Sequence, residues 1–237
     1  MKKIICLLFI IFCGKITTAQ VIIALLFGDK LNSDKLEFGL TVGPTLSKIQ
    51  GIDCKAKAGL NLGLYFTIKL GNNFYFQPEA IAKSSFGARG ILPYSTGNDS
   101  LDNLFAEGSV ERNIKMAGLV TLVQYRIMKK LFIEAGPQAT LRFKARDIFE
   151  VDIEDNKLSY VVNITDKTTL FDVGITGGMF YKLKEDKGMR IGIRYYYGFV
   201  DVLKPSQGGQ QNSVWLLNVS IPVGTSKSAK KAKQNKQ

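Results

Sequence analysis

The chain has 237 residues, of which 46% are hydrophobic and 22% charged, and it carries a formal net charge of +12 with no histidine. The lack of histidine excludes Ser-His-Asp hydrolysis and removes a main ligand of zinc sites. Three lysines in the first 19 residues and five after Val223 leave only +4 on the remaining body, which argues against a nucleic-acid-binding surface.

The N-terminus has the pattern of an export signal. Met1–Lys3 is basic, Ile4–Phe12 is apolar, and Thr17–Ala19 supplies the small residues that a signal peptidase reads. The apolar core is far shorter than the ~20 residues of a membrane-spanning helix. We therefore expect residues 1–19 to be a cleaved signal peptide.

The mature chain is expected to begin with a periplasmic segment at residues 20–34. Its apolar stretch Val21–Phe27 fits either a short interfacial segment or part of a plug. Cleavage removes Cys6 and Cys13 and leaves Cys54 alone, so no intramolecular disulfide can form.

Residues 35–224 are predicted to form the barrel domain, because segments within them alternate between apolar and polar side chains with a period of two, which is the signature of β-strands. In the seventh strand, for example, Ile191 and Ile193 alternate with Arg190, Gly192 and Arg194. Eight strands are predicted, at Leu36–Leu46, Ala56–Leu70, Phe74–Phe86, Ile114–Ile127, Leu131–Phe143, Thr169–Leu183, Met189–Phe199 and Val214–Val223.

The fourth strand departs from this alternation because it is apolar on both faces. Met116 and Val120 share one parity, whereas Leu119 and Val123 share the other. A β-bulge that switches the faces of this strand is one explanation. We include it as a strand because a closed barrel of this class needs an even number.

The connections alternate between short and long, which is typical of outer-membrane barrels. Tight turns are expected at Gly71–Asn73, Met128–Lys130 and Lys184–Gly188, and loops at 47–55, 87–113, 144–168 and 201–213. Short turns normally face the periplasm and long loops the outside. With eight strands, both termini are then expected in the periplasm.

The alternation alone does not say which face of the strands points outward. A soluble, lipocalin-like barrel would have its apolar face inside, whereas a membrane barrel has its apolar face in lipid. Nine glycines share the charged face, where a narrow lumen needs room for long side chains; they are Gly39, Gly43, Gly59, Gly63, Gly136, Gly174, Gly178, Gly192 and Gly198. Aromatic residues on the apolar face gather near both strand ends, as in interfacial girdles; they are Phe38, Phe66, Phe74, Phe76 and Tyr181 at one end and Phe86, Phe143, Phe171, Phe199 and Trp215 at the other. We predict an all-β, eight-stranded antiparallel up-and-down transmembrane barrel with its apolar face in lipid.

The polar face is then the lumen, and its charges form the candidate site. An unpaired charge is costly in a narrow interior, so Arg194 is expected to pair with Glu79, Glu134 or both. The predicted lumen charge network consists of Glu37, Glu79, Glu134, Asp172, Arg142, Arg190 and Arg194. These carboxylates are expected to neutralise arginines, and no catalytic residue, metal ligand or cofactor site is predicted.

Several segments resemble the PorT-like outer-membrane β-barrel family. The similarity lies in Leu131–Phe143, in Met189–Phe199 and in Phe74–Ala80, and it extends over nearly the whole mature chain. It implies the barrel architecture and the outer-membrane location, and one member type takes part in protein secretion. This chain differs at its end, because a basic tail at 225–237, which we expect to be disordered, follows the last strand where an aromatic C-terminus is common.

Three functions remain open from the sequence. The favoured one is a structural or interaction barrel of the cell envelope, embedded in outer-membrane lipid, whose long loops meet partner proteins. The second is a component of a secretion or envelope assembly machine, with the tail docking in the periplasm. The third is a small-molecule barrel, which the small interior of eight strands disfavours. The oligomeric state is left open.

Overall fold

The computed structural model describes residues 36–154, 156–184, 188–204 and 209–223. The predicted signal peptide, the segment 20–34 and the tail 225–237 lie outside the described residues. The described residues form one short helix, α1 (Asp99–Leu104), and nine strands: β1 (Leu36–Ile49), β2 (Lys57–Lys69), β3 (Phe74–Ile91), β4 (Ser109–Arg126), β5 (Leu131–Ile153), β6 (Asn156–Asn163), β7 (Phe171–Lys182), β8 (Arg190–Asp201) and β9 (Gln211–Pro222).

Eight of these strands close into a ring. Around the ring the strands follow the order β1, β2, β3, β4, β5, β7, β8 and β9, and β9 pairs with β1 to close it. β6 lies outside the ring and pairs with β5. Every pairing is antiparallel. The prediction of an eight-stranded up-and-down barrel is therefore confirmed.

Two of the predicted loops are wrong, because they contain regular structure. The segment 144–168 holds the upper part of β5 and the whole of β6, which pair from Arg146–Asn163 to Ile153–Asn156. The segment 87–113 holds the ends of β3 and β4 together with α1. We call residues 84–91, 109–116, 144–153 and 156–163 the outer sheet, since they continue three ring strands beyond the long-loop end of the ring and add β6 beside them.

The outside of the ring is apolar. Its exposed side chains include Leu119 at 62%, Phe199 at 63% and Trp215 at 52% of full exposure. The same surface carries Leu46, Leu60, Val123, Ile133, Leu141, Phe171, Val173, Ile175, Met179, Ile191, Ile193 and Leu217. Polar residues fill the inside, which is the reverse of a water-soluble barrel and matches a barrel that faces lipid.

The bulge expected in the fourth strand lies in its neighbours instead. Along β4, every second residue from Val110 to Gln124 points inward without a change of parity. The register shifts in β3 between Ile81 and Ser84, and in β5 opposite Lys115. β4 is apolar on both faces because part of its inner face packs in buried clusters rather than against lumen charges.

The bulge in β3 also corrects one member of the predicted aromatic girdle. Phe86 was expected to face lipid, but it is 2% exposed and packs inside the barrel mouth. Two residues of β3 between Ile81 and Ser84 lie outward in succession, so the parity read from Phe74 no longer holds at Phe86.

Among the described residues, no helix is long and apolar enough to cross a membrane.

Candidate functional site

The centre of the lumen is an ion-pair cluster around Arg194 of β8. Its Nη1 lies 2.8 Å from Glu79 Oε2 on β3, and its Nε lies 2.5 Å from Glu134 Oε1 on β5. All three side chains are at most 4% exposed. The strand alternation directs these residues inward, and closure of the ring brings them together.

A second cluster surrounds Arg190, which lies four residues before Arg194 on β8 and nearer the short-turn end of the barrel. Its guanidinium pairs with Glu37 of β1 and donates to Gln77 Oε1 at 2.8 Å and to Thr67 Oγ1 at 2.9 Å. The same group lies 4.8 Å from the ring centroid of Tyr65, a cation–π distance. Phe180 adds a second ring at 5.3 Å, so Arg190 is held by one charge, two neutral acceptors and two aromatic faces.

Two glutamines connect the clusters. Gln77 Nε2 donates to Glu79 at 3.4 Å, and Gln124 Nε2 donates both to Gln77 at 2.9 Å and to Glu134 at 2.8 Å. Both amides are at most 1% exposed. The sequence analysis missed them because it followed charge alone, although both lie on the inward parity of their strands.

Two predicted members of the network lie apart from it. The Asp172 carboxylate accepts from Asn212 Nδ2 at 2.8 Å, and Arg142 Nε donates to the carbonyl of Thr169 at 3.3 Å. Neither forms an ion pair among the described residues. Both face the lumen near its long-loop end, where their neighbours are neutral.

Aromatic rings pack inside the lumen at both of its ends. At the long-loop end, Phe86 of β3 lies 5.5 Å from Tyr196 of β8, between centroids, within a buried apolar cluster. At the short-turn end, Phe132 of β5 stacks on Phe180 of β7 at 4.8 Å. The first pair spans the barrel between opposite strands, whereas the second joins two neighbouring strands.

Little internal space remains in the lumen between these two aromatic pairs. One cavity of about 20 Å³ is bordered by Asn61, Glu79, Gln138 and Arg194. A cavity volume of ~10–15 Å³ is enough to hold one water molecule. This cavity therefore suits about one water molecule and no larger ligand.

Some lumen glycines make room for large side chains, as the sequence analysis proposed. A Cβ on Gly39 would lie 2.5 Å from the Tyr65 hydroxyl, and one on Gly198 would lie 2.7 Å from the Asp172 carboxylate. Tyr65 is the residue that contacts both Glu37 and Arg190. The glycine at position 39 is thus part of the packing of the lower ion-pair cluster.

A further buried ion pair stabilises the outer sheet. Arg112 of β4 binds Asp147 of β5 through two bonds, at 2.9 Å from Nε and 2.6 Å from Nη2, and Tyr94 donates to the same carboxylate at 2.9 Å. Burial, with the carboxylate beside it, raises the pKa of the Tyr94 phenol. The sequence analysis missed this pair because it assigned Asp147 to a loop.

An apolar cluster joins the segment around α1 to the same sheet. Phe105 lies 6.0 Å from Phe149, between centroids, and Val110 is fully buried beside them. β6 forms the outermost strand, and β5 is its one neighbouring strand among the described residues. Its side chains Leu158, Tyr160 and Val161 are 41%, 38% and 48% exposed.

No group of three or more His, Cys, Asp or Glu side chains in the described part of the chain is arranged to hold a metal ion.

Comparison with protein-family models gives one match. The model described as "Outer membrane protein beta-barrel domain" covers residues 27–204 of this chain. None of the curated proteins with which the sequence was compared matches it.

Several solved structures are similar to this chain. Ail, the attachment invasion locus protein of Yersinia pestis, solved with the heparin analogue sucrose octasulfate, has 13% identity and a TM-score of 0.45, with 79% of this chain and 99% of Ail covered. Neisserial surface protein A has 9% identity and a TM-score of 0.41, with 78% and 96% covered. OprG from Pseudomonas aeruginosa has 12% identity and a TM-score of 0.35, with 79% and 91% covered. At such low identities, the likeness supports no conclusion about ligand or role.

Proposed function

The chain belongs to the family of outer membrane proteins that this β-barrel domain defines, and from that premise we propose that it is a non-catalytic barrel whose outer sheet binds a partner protein outside the cell. Both termini then lie in the periplasm. The closer resemblance to PorT-like barrels is part of this proposal and is supported by the motifs in Leu131–Phe143 and Met189–Phe199.

The observation that carries the proposal is the outer sheet itself. It is ordered by the buried pair of Arg112 and Asp147, and it ends in the exposed strand β6. A strand with one free edge offers unpaired backbone groups and alternate side chains to an extended segment of another protein. Its apolar side chains Leu158 and Val161 add surface that water does not solvate well.

The interior offers much less to a ligand or substrate. Its carboxylates at Glu79 and Glu134 are paired with Arg194, so neither is available as a general acid or base. The third possibility, transport through the lumen, is disfavoured because Phe86 and Tyr196 meet across the barrel and the cavity beside Arg194 holds only about 20 Å³. Protein reconstituted in planar bilayers should show no stable conductance of porin size, and reproducible large channels would contradict this.

Orientation is tested by cysteine labelling of intact cells. In a Cys54→Ser background, Ser159→Cys on β6 should react with a membrane-impermeant maleimide, because its side chain is exposed on the outer sheet. Asn72→Cys in a short turn should react only after the cells are permeabilised. Labelling of the second variant in intact cells, with protection of the first, would reverse the proposed orientation.

Partner binding is tested by photocrosslinking in the same cells. A photoreactive residue at Leu158 should give a defined protein adduct, whereas one at Phe199, on the apolar outside of the ring, should give lipid adducts only. The adduct should weaken when the neighbouring exposed side chain is charged by Val161→Asp, which keeps Leu158 in place, while a second reporter monitors folding. No protein adduct at Leu158 under conditions in which the protein is functional would contradict the proposal.

A further inference from the structure

Four basic side chains lie close together on the outward face of the neighbouring strands β3, β4 and β5. Lys115 of β4 is paired directly with Lys144 of β5, and Arg146 follows two residues later on the same face. Lys83 of β3 lies outward opposite Leu62. We call Lys83, Lys115, Lys144 and Arg146 the basic row.

The basic row lies directly above the apolar outside of the barrel. On β4, the next outward residues below Lys115 are Ala117 and Leu119, and on β5 the residue below Lys144 is the exposed Phe143. The eleven residues from Arg126 to Lys115, in a strand tilted by ~40°, rise roughly 28 Å. That height is close to the ~30 Å hydrocarbon core of a bilayer.

These charges are not neutralised within the described protein. None of the four takes part in an ion pair there. Lys115 lies in the positive field of Lys57, Lys83 and Arg146, and its ammonium donates to the neutral Ser85 hydroxyl at 2.9 Å. The acid Glu111 acts on Lys115 in the opposite sense, and its Oε1 lies 3.9 Å from Lys57 Nζ.

Like charges on directly paired residues repel each other, so this arrangement costs stability unless an anion lies between them. A row of cations in a membrane protein at the edge of its apolar surface meets the lipid headgroups. Phosphate groups accept charge-assisted hydrogen bonds from several such donors at once.

We propose that the basic row binds the phosphate groups of membrane lipids at the long-loop edge of the barrel. The lipid is the source of the phosphate because the apolar residues beneath the row hold acyl chains in place. This inference does not depend on a protein partner for the outer sheet, and it concerns a different surface.

The test measures lipid bound to the full chain folded in a neutral detergent. The probes are bisphosphorylated lipid A, the same lipid after dephosphorylation, and inorganic phosphate alone, and native mass spectrometry counts the bound molecules. The wild-type protein should retain the phosphorylated lipid with an affinity about tenfold or more above that of the dephosphorylated form, as expected for several charges near an anionic headgroup. Inorganic phosphate alone should bind weakly.

The variant Lys83→Gln, Lys115→Gln, Lys144→Gln, Arg146→Gln should lose this preference. A matched control removes four charges at the short-turn end, three exposed and one half-buried at Lys130, with Lys69→Gln, Lys129→Gln, Lys130→Gln and Lys184→Gln, and should keep it. Equal loss in both variants would show a general charge effect and overturn the proposal.

A second variant keeps the test valid if the fourfold change prevents folding. Lys83→Gln with Lys144→Gln alters only exposed side chains and leaves the hydrogen bond of Lys115 intact. It should weaken binding of the phosphorylated lipid several-fold, with a smaller effect at high salt. An unchanged affinity, no preference for the phosphorylated lipid in the wild type, or equally strong binding of inorganic phosphate would each overturn the proposal.

Discussion

Arg194 and Glu79 meet across the full width of the barrel, with 2.8 Å between Nη1 and Oε2. Their strands, β8 and β3, are four positions apart in a ring of eight and so lie opposite each other. Phe86 and Tyr196 join the same two strands nearer the long-loop end. Two contacts thus join β3 and β8 across the lumen, one an ion pair and the other a pair of aromatic rings.

The Arg194 cluster leads to a prediction about stability. Arg194→Leu leaves the buried carboxylates of Glu79 and Glu134 without their cation, and removing one partner of a buried pair costs about 3–5 kcal/mol. Urea unfolding in lipid vesicles should show a loss of this size. An exposed control, Lys129→Leu in a short turn, should change the free energy of unfolding by less than about 0.5 kcal/mol.

Neutralising the carboxylates should recover part of that loss. Glu79→Gln in the Arg194→Leu background should restore some stability, and adding Glu134→Gln should restore more, because both acids contact the same guanidinium. The double-mutant cycles give the two coupling energies. Additive effects in both cycles would mean that neither contact contributes to stability.

Two adjacent glycines of β7 should respond differently to the same substitution. A Cβ on Gly178 would lie 2.3 Å from the backbone oxygen of Ile193, whereas the nearest atom to one on Gly177 would be 3.8 Å away. Gly178→Ala should therefore destabilise the barrel by about 1–3 kcal/mol, and Gly177→Ala should be close to neutral. Equal urea midpoints for the two variants would contradict the close approach.

Trp215 is the single tryptophan of the chain and reports which face meets lipid. It is half exposed on the outside of β9, 4.7 Å from the ring of Tyr195. Its fluorescence in vesicles should be quenched strongly by brominated lipids and weakly by an aqueous quencher. The opposite result would mean that this side of the barrel faces water.

Because of Tyr94, we expect the free energy of unfolding to decrease at alkaline pH. Its pKa is raised in the folded protein, so above the ordinary tyrosine pKa of ~10 the unfolded chain releases a proton that the folded chain retains. Stability is therefore unaffected by this group below pH ~10 and falls as the pH rises beyond it. Between about pH 9 and about pH 11, the urea midpoint of Tyr94→Phe should fall less steeply than that of the wild type. Parallel curves would exclude the contribution.

The ring could be predicted from the sequence because alternation alone separates its two faces. Ile191 and Ile193 point outward and Arg190 and Arg194 inward, as their parity indicates. Which carboxylate each arginine meets could not be predicted, since this depends on strand order and on the stagger that closure imposes. Arg190 finds Glu37 two strands away, whereas Arg194 reaches both Glu79 and Glu134.

The outer sheet was missed for a different reason. A bulge at Phe143 and Lys144 shifts the parity of β5, and beyond it the inward residues Asp147 and Phe149 are as mixed in polarity as the outward ones. This part of the strand faces water on one side and a small cluster on the other, so its sequence lacks the strong alternation that a lipid-facing strand requires.

β5 has a mechanical consequence for this architecture. It is 23 residues long and belongs to the ring below and to the outer sheet above. A pulling force applied at β6 passes first into β5, the strand that pairs with it, and along β5 into the barrel. Ladder hydrogen bonds run perpendicular to the strands, so those to β4 and β7 carry the load together in shear rather than opening one after another. Whatever attaches at the sheet is thereby tethered to the membrane by a joint that resists tension.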